Sequence, residues 1–416
     1  MAKTSRLCIV SPWNYPLFNP QNQTHFGGWE VRIALIAREL ARRGRFDVSI
    51  VVGDHGQPHV ERIAGITLYS WRGRTIWGIP SPENREKDSQ ARAPNSFQAR
   101  LLNWIRKSSP HPLQTGRVGS YVIEPSMISI YDEVDADIYT VPGNSQFSGE
   151  LAYYCRHRGK KYVFLSGSDF DYYPEYKVEP KKSDMYGIPY SLKVYAIENA
   201  HTHLVQSERQ AQMLEQGYGR SAIVIRNPID LTRDFPRNPE ANTILWVGKS
   251  DERIKRPSIV LALARQLPEY AFVIIMNLAN PETHEQCLAE AKSLPNVTLL
   301  PRVPFAEVER YFANARVHVN TSVFEGFPNT FIQAAKYGLP TVALQVDPGA
   351  MLSQHGCGQQ CDDDLDRLKE TVRLLMHDTQ LYAQTSARCL DYVRTYHDKE
   401  KIISQYEKAL EGVLLD

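Results

Sequence analysis

The stretch that decides the fold covers residues 317–344 and reads VHVNTSVFEGFPNTFIQAAKYGLPTVAL. Its two apolar ends, 317–320 and 341–344, have the length and composition of short buried strands. One carboxylate, Glu325, stands in the loop that follows the first of these strands. Ligands of open parallel sheets bind at the carboxyl ends of the strands, so this loop is the first candidate for a binding site.

A helix is predicted between the two strands. Pro328 suits its first turn, Asn329 or Thr330 suits the N-cap position, and Gly338 suits the end. The N-terminus of such a helix presents backbone N–H groups that receive anions such as phosphate. The stretch therefore predicts a strand–loop–helix–strand unit with an anion site beside Glu325.

The same alternation of strand and helix patterns continues along the chain and predicts the α/β class with two doubly wound parallel sheets. A chain of 416 residues is long for one hydrophobic core, which favours two domains. A polar, proline-containing stretch between the two series reads as a linker. The predicted ranges are 1–224 for an N-terminal domain, 225–242 for the linker, 243–395 for a C-terminal domain and 396–416 for a final helix.

Apolar runs give the individual strands, and an amphipathic run over 29–43 gives the first long helix. The predicted strands of the first domain are 7–10, 48–52, 137–141, 162–165 and 203–206. Those of the second domain, besides the two in the opening stretch, are 243–247, 271–276 and 297–300.

Composition excludes several classes of protein. The formal net charge of +1 gives no overall attraction to nucleic acid. No apolar run is long enough for a signal peptide or a bilayer span, and the six scattered cysteines suit reduced thiols, so we expect a cytoplasmic protein. His355, Cys357 and Cys361 lie close together, but no second ligand cluster completes a zinc site, so no metal is predicted.

Two lysines follow the first strand of the second domain. Lys249 comes directly after Gly248 at the strand end, and Lys255 lies six residues on, with Arg253 between them. Cations beyond a strand end suit a diphosphate leaving group, whose negative charge grows as its bond breaks. A solvated basic turn before a helix is the alternative.

The first domain offers two further candidates. Gly27 and Gly28 open a helix, and paired glycines let a bulky ligand approach backbone N–H groups closely; a flexible turn is the alternative. Ser166, Asp169 and Asp171 follow a predicted strand, where polar side chains suit contacts with a ligand. An Asx turn is the alternative there.

These motifs together resemble family 4 retaining glycosyltransferases of the GT-B fold. That family has a Glu-x7-Glu pattern followed by a Gly-x-Pro turn. The matching residues are Glu325, Gly326, Phe327, Gly338 and Pro340, while Gln333 stands where the second Glu is expected. Lys249 and Lys255 resemble the family's Arg and Lys pair, Arg256-Pro257 replaces the usual glycine, and 227–230 resembles its Asn-Gly-Val-Asp hinge.

The resemblance implies two Rossmann-like domains around an interdomain cleft and a nucleotide-diphospho-sugar donor. It implies retention of anomeric configuration, no obligatory metal or cofactor, and a final helix that crosses back to the first domain. Glu325 would position the transferred sugar, Lys249 and Lys255 would hold the diphosphate, and Gln333 would face the ribose. Ser166 would bond the donor sugar, and Asp169 or Asp171 would orient an acceptor hydroxyl. Besides Gln333, the donor-binding candidates are Gly27, Gly28, Ser166, Asp169, Gly248, Arg253, Gly326, Phe327, Pro328, Asn329 and Thr330.

The acceptor side is the least defined part of the sequence. A polysaccharide, a lipid-linked glycan or a small molecule all fit. An amphipathic run over 97–107 would suit peripheral contact with the inner membrane face, although a helix packed on the domain core is the more common case. Two other functions stay open: a nucleotide-sugar epimerase of the same architecture, and a non-catalytic nucleotide-sugar-binding protein.

Overall fold

The computed structural model describes residues 4–22, 26–72, 116–238 and 240–415. The chain divides into two compact units. Unit 1 contains the described residues up to Ile225 together with those from Ile403 onward, and unit 2 runs from Arg226 to Ile402. The predicted amphipathic run over 97–107 lies outside the described residues.

Unit 1 is built on an eight-stranded sheet, counted over the described ranges, in which every neighbouring pair is parallel except β3 with β4. Its strands are β1 Ser5–Val10, β2 Phe46–Gly53, β3 Val60–Ile63, β4 Ile66–Trp71, β7 Ile138–Pro142, β8 Lys161–Leu165, β9 Thr202–Val205 and β10 Ile223–Val224. A small antiparallel pair, β5 Arg117–Val118 and β6 Tyr121–Val122, precedes β7.

Helices follow most of these strands, as parallel connections require. They are α1 Tyr15–Phe18, α2 Gly28–Arg43, α3 Pro125–Val134, α4 Gln146–Arg158, α5 Glu175–Val178, α6 Tyr190–Glu198 and α7 Glu208–Tyr218, with a 3-10 turn at Asp169–Tyr172. The strand order is β10-β9-β8-β7-β1-β2-β4-β3. The order in which successive strands are added to the sheet therefore reverses between the parallel strands β1 and β7, and the loops after these two strands diverge there.

Unit 2 is built on a six-stranded sheet, again counted over the described ranges, and all its pairs are parallel. Its strands are β11 Thr243–Lys249, β12 Ala271–Asn277, β13 Val297–Leu300, β14 Val317–Asn320, β15 Thr341–Ala343 and β16 Gly358–Gln360. Its helices are α8 Pro257–Gln266, α9 Pro281–Ala291, α10 Phe305–Ala313, α11 Asn329–Lys336, α12 Leu365–His377 and α13 Thr379–Tyr396, with a 3-10 turn at Pro348–Ala350.

The strand order β13-β12-β11-β14-β15-β16 is that of a dinucleotide-binding sheet. β11 lies beside β14, with Ile244 opposite Val317 and Leu245 opposite His318. The order reverses between these two strands, so the crevice for a ligand opens where β11 and β14 end. All four residues of β14 and the three residues 244–246 of β11 are buried, as is expected of central strands.

The predicted class of two Rossmann-like parallel-sheet domains is confirmed. The strand predicted at 317–320 is found with those bounds, and the helix predicted at 29–43 begins one residue earlier, at Gly28. The predicted N-cap of α11 is wrong. Pro328 occupies that position in an extended conformation, with φ −66° and ψ 130°, and Asn329 is the first helical residue.

The last helix, α14 Lys399–Leu415, begins in unit 2 and ends in unit 1. Within unit 1 its Tyr406 hydroxyl accepts a hydrogen bond from buried Arg32 at 2.5 Å, and its Glu407 pairs with Arg43 at 2.9 Å. Among the helices that the structure describes, none is long and apolar enough to cross a membrane.

Candidate active site in the second unit

The carboxyl end of β11 is shaped by a tryptophan. Trp246 is 2% exposed, and its indole N–H donates to Thr321 Oγ1 at 2.9 Å. A Cβ atom at Gly248 would lie 2.4 Å from the Trp246 ring, so only glycine leaves room for this packing. Lys249 follows with an exposed side chain and forms no ion pair with any described residue. The strand thus delivers a cation to the crevice.

The loop after β11 is organised by Asp251. Its Oδ1 atom accepts from the backbone N–H groups of Arg253 at 3.0 Å and Ile254 at 3.2 Å, and its carbonyl accepts from Lys255 N at 2.7 Å. These bonds fold residues 251–255 into a tight turn. The side chain of Arg253 is exposed at the tip of this turn.

Arg256 stands where the family that the sequence resembles has glycine, and its backbone conformation explains that preference. Its backbone is left-handed, with φ 49° and ψ 58°, a conformation that is strained for an L-residue. Its guanidinium group spans the loop, donating to Thr321 O at 2.8 Å and to Asp363 Oδ1 at 2.7 Å. These contacts offset the backbone strain, and they make Arg256 a structural residue.

The loops after β11 and β14 are joined to each other. Val323 N donates to Ile254 O at 2.9 Å, and Thr321 Oγ1 donates to Lys255 O at 2.6 Å. The backbone of Lys255 is therefore fixed against the loop that carries Glu325.

Two of the three side chains predicted to be catalytic, Lys255 and Glu325, meet at this junction, and Lys249 is the third. Lys255 Nζ donates to Glu325 Oε1, and Ser322 Oγ donates to the same oxygen at 2.7 Å. The side chains are 25% and 13% exposed, respectively, so both remain open to a ligand on one side. A carboxylate held by an ammonium and a hydroxyl is a rigid acceptor for sugar hydroxyl groups, while the ammonium is placed for an anion.

Sequence reasoning missed Ser322. Its only signal is its spacing, three residues before Glu325 in a loop, and such serines are frequent in turns.

The residues after Glu325 differ in how far they are buried. Gly326, Pro328, Asn329 and Thr330 are half-buried at the start of α11. Phe327, predicted to bind the donor, is 5% exposed, and its ring packs beside His397 with centroids 4.8 Å apart. Its side chain is therefore part of the core, which leaves its backbone as the part that can contact a donor.

Gln333 lies on α11, four residues after Asn329 and therefore on the same face of the helix. It is half-buried, whereas its neighbours Ile332 and Ala334 are buried. The ribose contact predicted for Gln333 stays a prediction.

The glycine pair in unit 1 forms the start of α2. Gly27 is the N-cap residue, and its N–H donates to Glu30 Oε2 at 2.6 Å. The helix thus caps itself with its own carboxylate, which occupies one of the amides predicted to contact the donor. An anion at Gly27 would have to displace Glu30.

The loop after β8 is centred on Asp171, which is 5% exposed. Its carboxylate accepts from the N–H groups of Gly167 at 2.6 Å, Ser168 at 3.1 Å and Asn144 at 2.8 Å. Burial raises the pKa of this carboxyl group, and the three N–H donors act against that shift. With its oxygens occupied in this way, Asp171 organises the loop, and its predicted contact with an acceptor stays a prediction.

Ser166 is also taken up by this network. It is 0% exposed, and its hydroxyl bonds to Asp171 Oδ2 at 3.2 Å and to Gln210 Oε1 at 3.1 Å. No surface of the hydroxyl is open to a ligand in this conformation, and the predicted donor contact of Ser166 stays a prediction. Asp169 instead pairs with Arg209 at 2.8 Å on the surface.

Trp29 is a second residue that sequence reasoning missed. A Cβ atom at Gly167 would lie 1.1 Å from its ring, and one at Gly143 would lie 3.2 Å from it. The half-buried indole therefore lies across the carboxyl ends of β7 and β8, and the two glycines make room for it. An aromatic residue directly after a glycine pair was the available signal.

Residues 241–378 match the family model described as Glycosyl transferases group 1. We call this part of the chain the group 1 domain after that match. The group 1 domain contains both lysines, Glu325, Gln333 and the loops that join them. A Haemophilus influenzae protein described as an uncharacterized glycosyltransferase is 25% identical over 232 residues, covering 52% of this chain and 63% of that protein. The match thus spans a little under two thirds of that relative's length.

Solved structures show that the fold extends beyond the group 1 domain. Sucrose-phosphate synthase from Thermosynechococcus elongatus is similar with a TM-score of 0.73 and 14% identity, covering 99% of both chains. HepE of Anabaena, in complex with UDP and glucose, is similar with a TM-score of 0.67 and 15% identity, covering 98% of this chain and 99% of that one. A TarM variant from S. aureus, solved with UDP, has a TM-score of 0.66 and 10% identity, covering 97% and 99%. At these identities the likeness shows the fold, which is GT-B.

The group 1 domain also contains His355, Cys357 and Cys361, which were judged not to bind metal. His355 packs between Tyr392 and Tyr396, with ring centroids 4.8 Å and 5.0 Å away, and both cysteines are buried as free thiols. No group of three or more His, Cys, Asp or Glu side chains that could hold a metal ion occurs within the described ranges.

Proposed function

We propose that this protein is a retaining, family 4-like glycosyltransferase that moves a sugar from a nucleoside-diphosphate sugar to an acceptor hydroxyl. The observation that carries the proposal is the Lys255–Glu325 pair, held by Ser322 where β11 and β14 end in the group 1 domain. A cation and a carboxylate in contact match the two halves of such a donor, which are a diphosphate and a polyhydroxylated ring.

The lysines stabilise the leaving group. As the bond between the anomeric carbon and the diphosphate oxygen breaks, negative charge accumulates on the diphosphate. The backbone of Lys255 is held in place by Thr321, and Lys249 is exposed at the end of β11. Both ammonium groups are therefore available to stabilise that charge. The N-terminus of α11 adds the positive end of its helix dipole.

Glu325 orients the sugar. Its carboxylate accepts hydrogen bonds from ring hydroxyls, and because Lys255 contacts the same carboxylate, the junction of sugar and phosphate lies beside this pair. The acceptor oxygen forms the new bond to the anomeric carbon on the face from which the diphosphate departs, and its proton passes to the leaving diphosphate. This route requires no protein nucleophile and retains the anomeric configuration.

The nucleotide is proposed to be UDP. Two of the similar structures, HepE and the TarM variant, were solved with UDP, and a pneumococcal O-GlcNAc transferase of similar fold was solved with UDP and GlcNAc. The acceptor is proposed to be a glycan, a lipid-linked glycan or a small molecule of polysaccharide or glycoconjugate biosynthesis on the cytoplasmic side. We propose no obligatory metal, because the two lysines supply the counter-charge, and transfer in the presence of EDTA tests this.

An epimerase or a non-catalytic binding protein would also bind a nucleotide sugar. The group 1 match favours transfer over both. An epimerase would convert the donor sugar without an acceptor, and a binding protein would leave the donor intact, so the fate of the donor distinguishes the three.

The first experiment is a thermal-shift screen of the full chain with UDP-, GDP- and ADP-glucose. A donor present at a hundredfold excess over its Kd stabilises the folded state by about 2.7 kcal/mol. We expect the shift with UDP-glucose, and NMR of the product formed from it should show the anomeric configuration of the donor. The proposal fails if no nucleoside diphosphate sugar shifts the melting temperature.

A further inference from the structure

Asn227 contacts the loop that carries the candidate site. It lies at the start of unit 2 and is 2% exposed. Its side-chain Nδ2 donates to Phe327 O at 2.9 Å and to Asn329 Oδ1 at 3.3 Å. These acceptors are two and four residues after Glu325, at the point where the loop becomes α11.

The side-chain amide of Asn227 makes its contacts through its N–H groups. Both of its contacts are to oxygen atoms, which can only accept here, and its own Oδ1 is buried with no hydrogen-bond partner in the described ranges. Neither aspartate nor alanine at this position could donate to Phe327 O. The contact therefore requires an amide and not merely a polar side chain.

The backbone of Asn227 is held from the other side by a histidine. His397 Nδ1 lies 2.7 Å from Asn227 O and must carry the proton, because the carbonyl can only accept. The His397 ring also packs against Phe327, so it supports both ends of the contact.

The same two segments are paired beyond the histidine. Ile229 N donates to His397 O at 2.9 Å, Lys399 N donates to Ile229 O at 3.1 Å, and Lys399 Nζ pairs with Asp230 at 2.8 Å. The chain enters unit 2 after Ile225 and leaves it after Ile402, so these paired segments lie at the two crossings between the units.

We infer that Asn227 is a positioning residue that sets the Glu325–Thr330 loop for the donor and ties that loop to both crossing segments. It touches neither sugar nor phosphate. It acts through the Phe327 carbonyl and Asn329, whose placement determines where Glu325 and the first N–H groups of α11 lie. The inference rests on the proposed function for the identity of the donor, but not for the positioning itself.

The test compares Asn227→Ala and Asn227→Asp with Asn296→Ala. Asn296 is a matched control in the same unit, because its Nδ2 donates to three backbone carbonyls, Ala264 O, Leu267 O and Tyr270 O, at 3.0 to 3.1 Å. Two quantities are measured in the full chain: hydrogen exchange of the amides over 323–332, and the Kd for UDP by calorimetry.

We expect both Asn227 variants to exchange faster over 323–332 by at least about tenfold, since loss of a buried hydrogen bond of this kind is worth about a factor of ten. UDP affinity should weaken by about the same factor. Asn296→Ala should lower the melting temperature while leaving exchange over 323–332 and UDP affinity unchanged.

The inference is overturned if exchange over 323–332 is unchanged in Asn227→Ala, or if Asn296→Ala accelerates it equally. A wild-type protein that binds no UDP, GDP or ADP would refute the proposed function, yet the exchange measurement would still decide whether Asn227 positions the loop.

Discussion

The carboxyl edges of the two sheets differ in what their polar side chains do. In unit 2, Lys255 and Glu325 contact each other and remain partly exposed, and Lys249 is exposed at the end of β11. In unit 1, Asp171 and Ser166 are buried and bonded to their own loop. The same kind of motif, polar residues after a strand, thus gives a candidate reactive surface in one unit and an internal brace in the other.

This difference shows that a polar side chain's position at a strand end indicates its role less well than the number of hydrogen-bond donors close to it does. Glu325 accepts from two side chains and keeps some exposed surface. Asp171 accepts from three backbone N–H groups and has no comparable surface. A short side chain close to successive backbone amides tends to be captured by them.

The largest effect expected from this comparison is on stability in unit 1. Asp171→Ala leaves two buried N–H groups and one half-buried N–H group without an acceptor and should lower the free energy of unfolding by about 3 kcal/mol. Asp169→Ala, which removes an exposed pair with Arg209, should change it by less than about 0.5 kcal/mol. Urea unfolding of both variants measures this, and equal losses would show that Asp171 is not the brace.

Both units should lose stability in acid through buried histidines. Burial lowers the pKa of His203, His318 and His397 from 6.5 to about 3 in each case. The unfolded chain therefore binds protons below about pH 6.5 that the folded chain excludes, so stability present at pH 7 is lost as the pH falls.

Between pH 7 and pH 5 the expected loss is about 2 kcal/mol for each of these histidines. Urea unfolding across this range measures the loss. His318→Gln should reduce the slope of unfolding free energy against pH by the amount that one histidine contributes. A slope that does not change in that variant would contradict the assignment.

The next largest effect tests the role of Ser322, which the sequence did not reveal. Ser322→Ala removes one of the bonds to Glu325 and should lower turnover about fivefold, corresponding to about 1 kcal/mol. Ser258→Ala is the control, because Ser258 bonds to Glu252 in the same unit and is exposed. Equal rates in the two variants would mean that Ser322 does not hold the carboxylate in place.

The smallest effect concerns Gln333. Gln333→Glu would exchange a neutral hydrogen bond for a charge-assisted one and should tighten UDP affinity about threefold if the side chain faces the ribose. Calorimetry with UDP measures this, and an unchanged Kd would remove Gln333 from the ribose site.

Sequence patterns predicted the sheets well, because buried parallel strands are continuous apolar runs that need no tertiary knowledge to recognise. They also predicted the Lys255 and Glu325 candidates, since charges beyond strand ends are conspicuous. They did not predict the engagement of Gly27 by Glu30, the burial of Ser166 or the Trp29 ring over Gly167. Those features depend on which neighbour satisfies a polar group or fills a space, and residue spacing does not contain that information.

The most direct test of the central claim is the turnover of the identified donor by Lys255→Ala and Glu325→Ala, with Lys292→Ala as an exposed control in the same unit. We predict that each of the first two variants lowers turnover at least about tenfold, a barrier increase of about 1.4 kcal/mol, while the control matches the wild type. Unchanged turnover in both variants, with folding intact, would contradict the assignment of this pair as the active site.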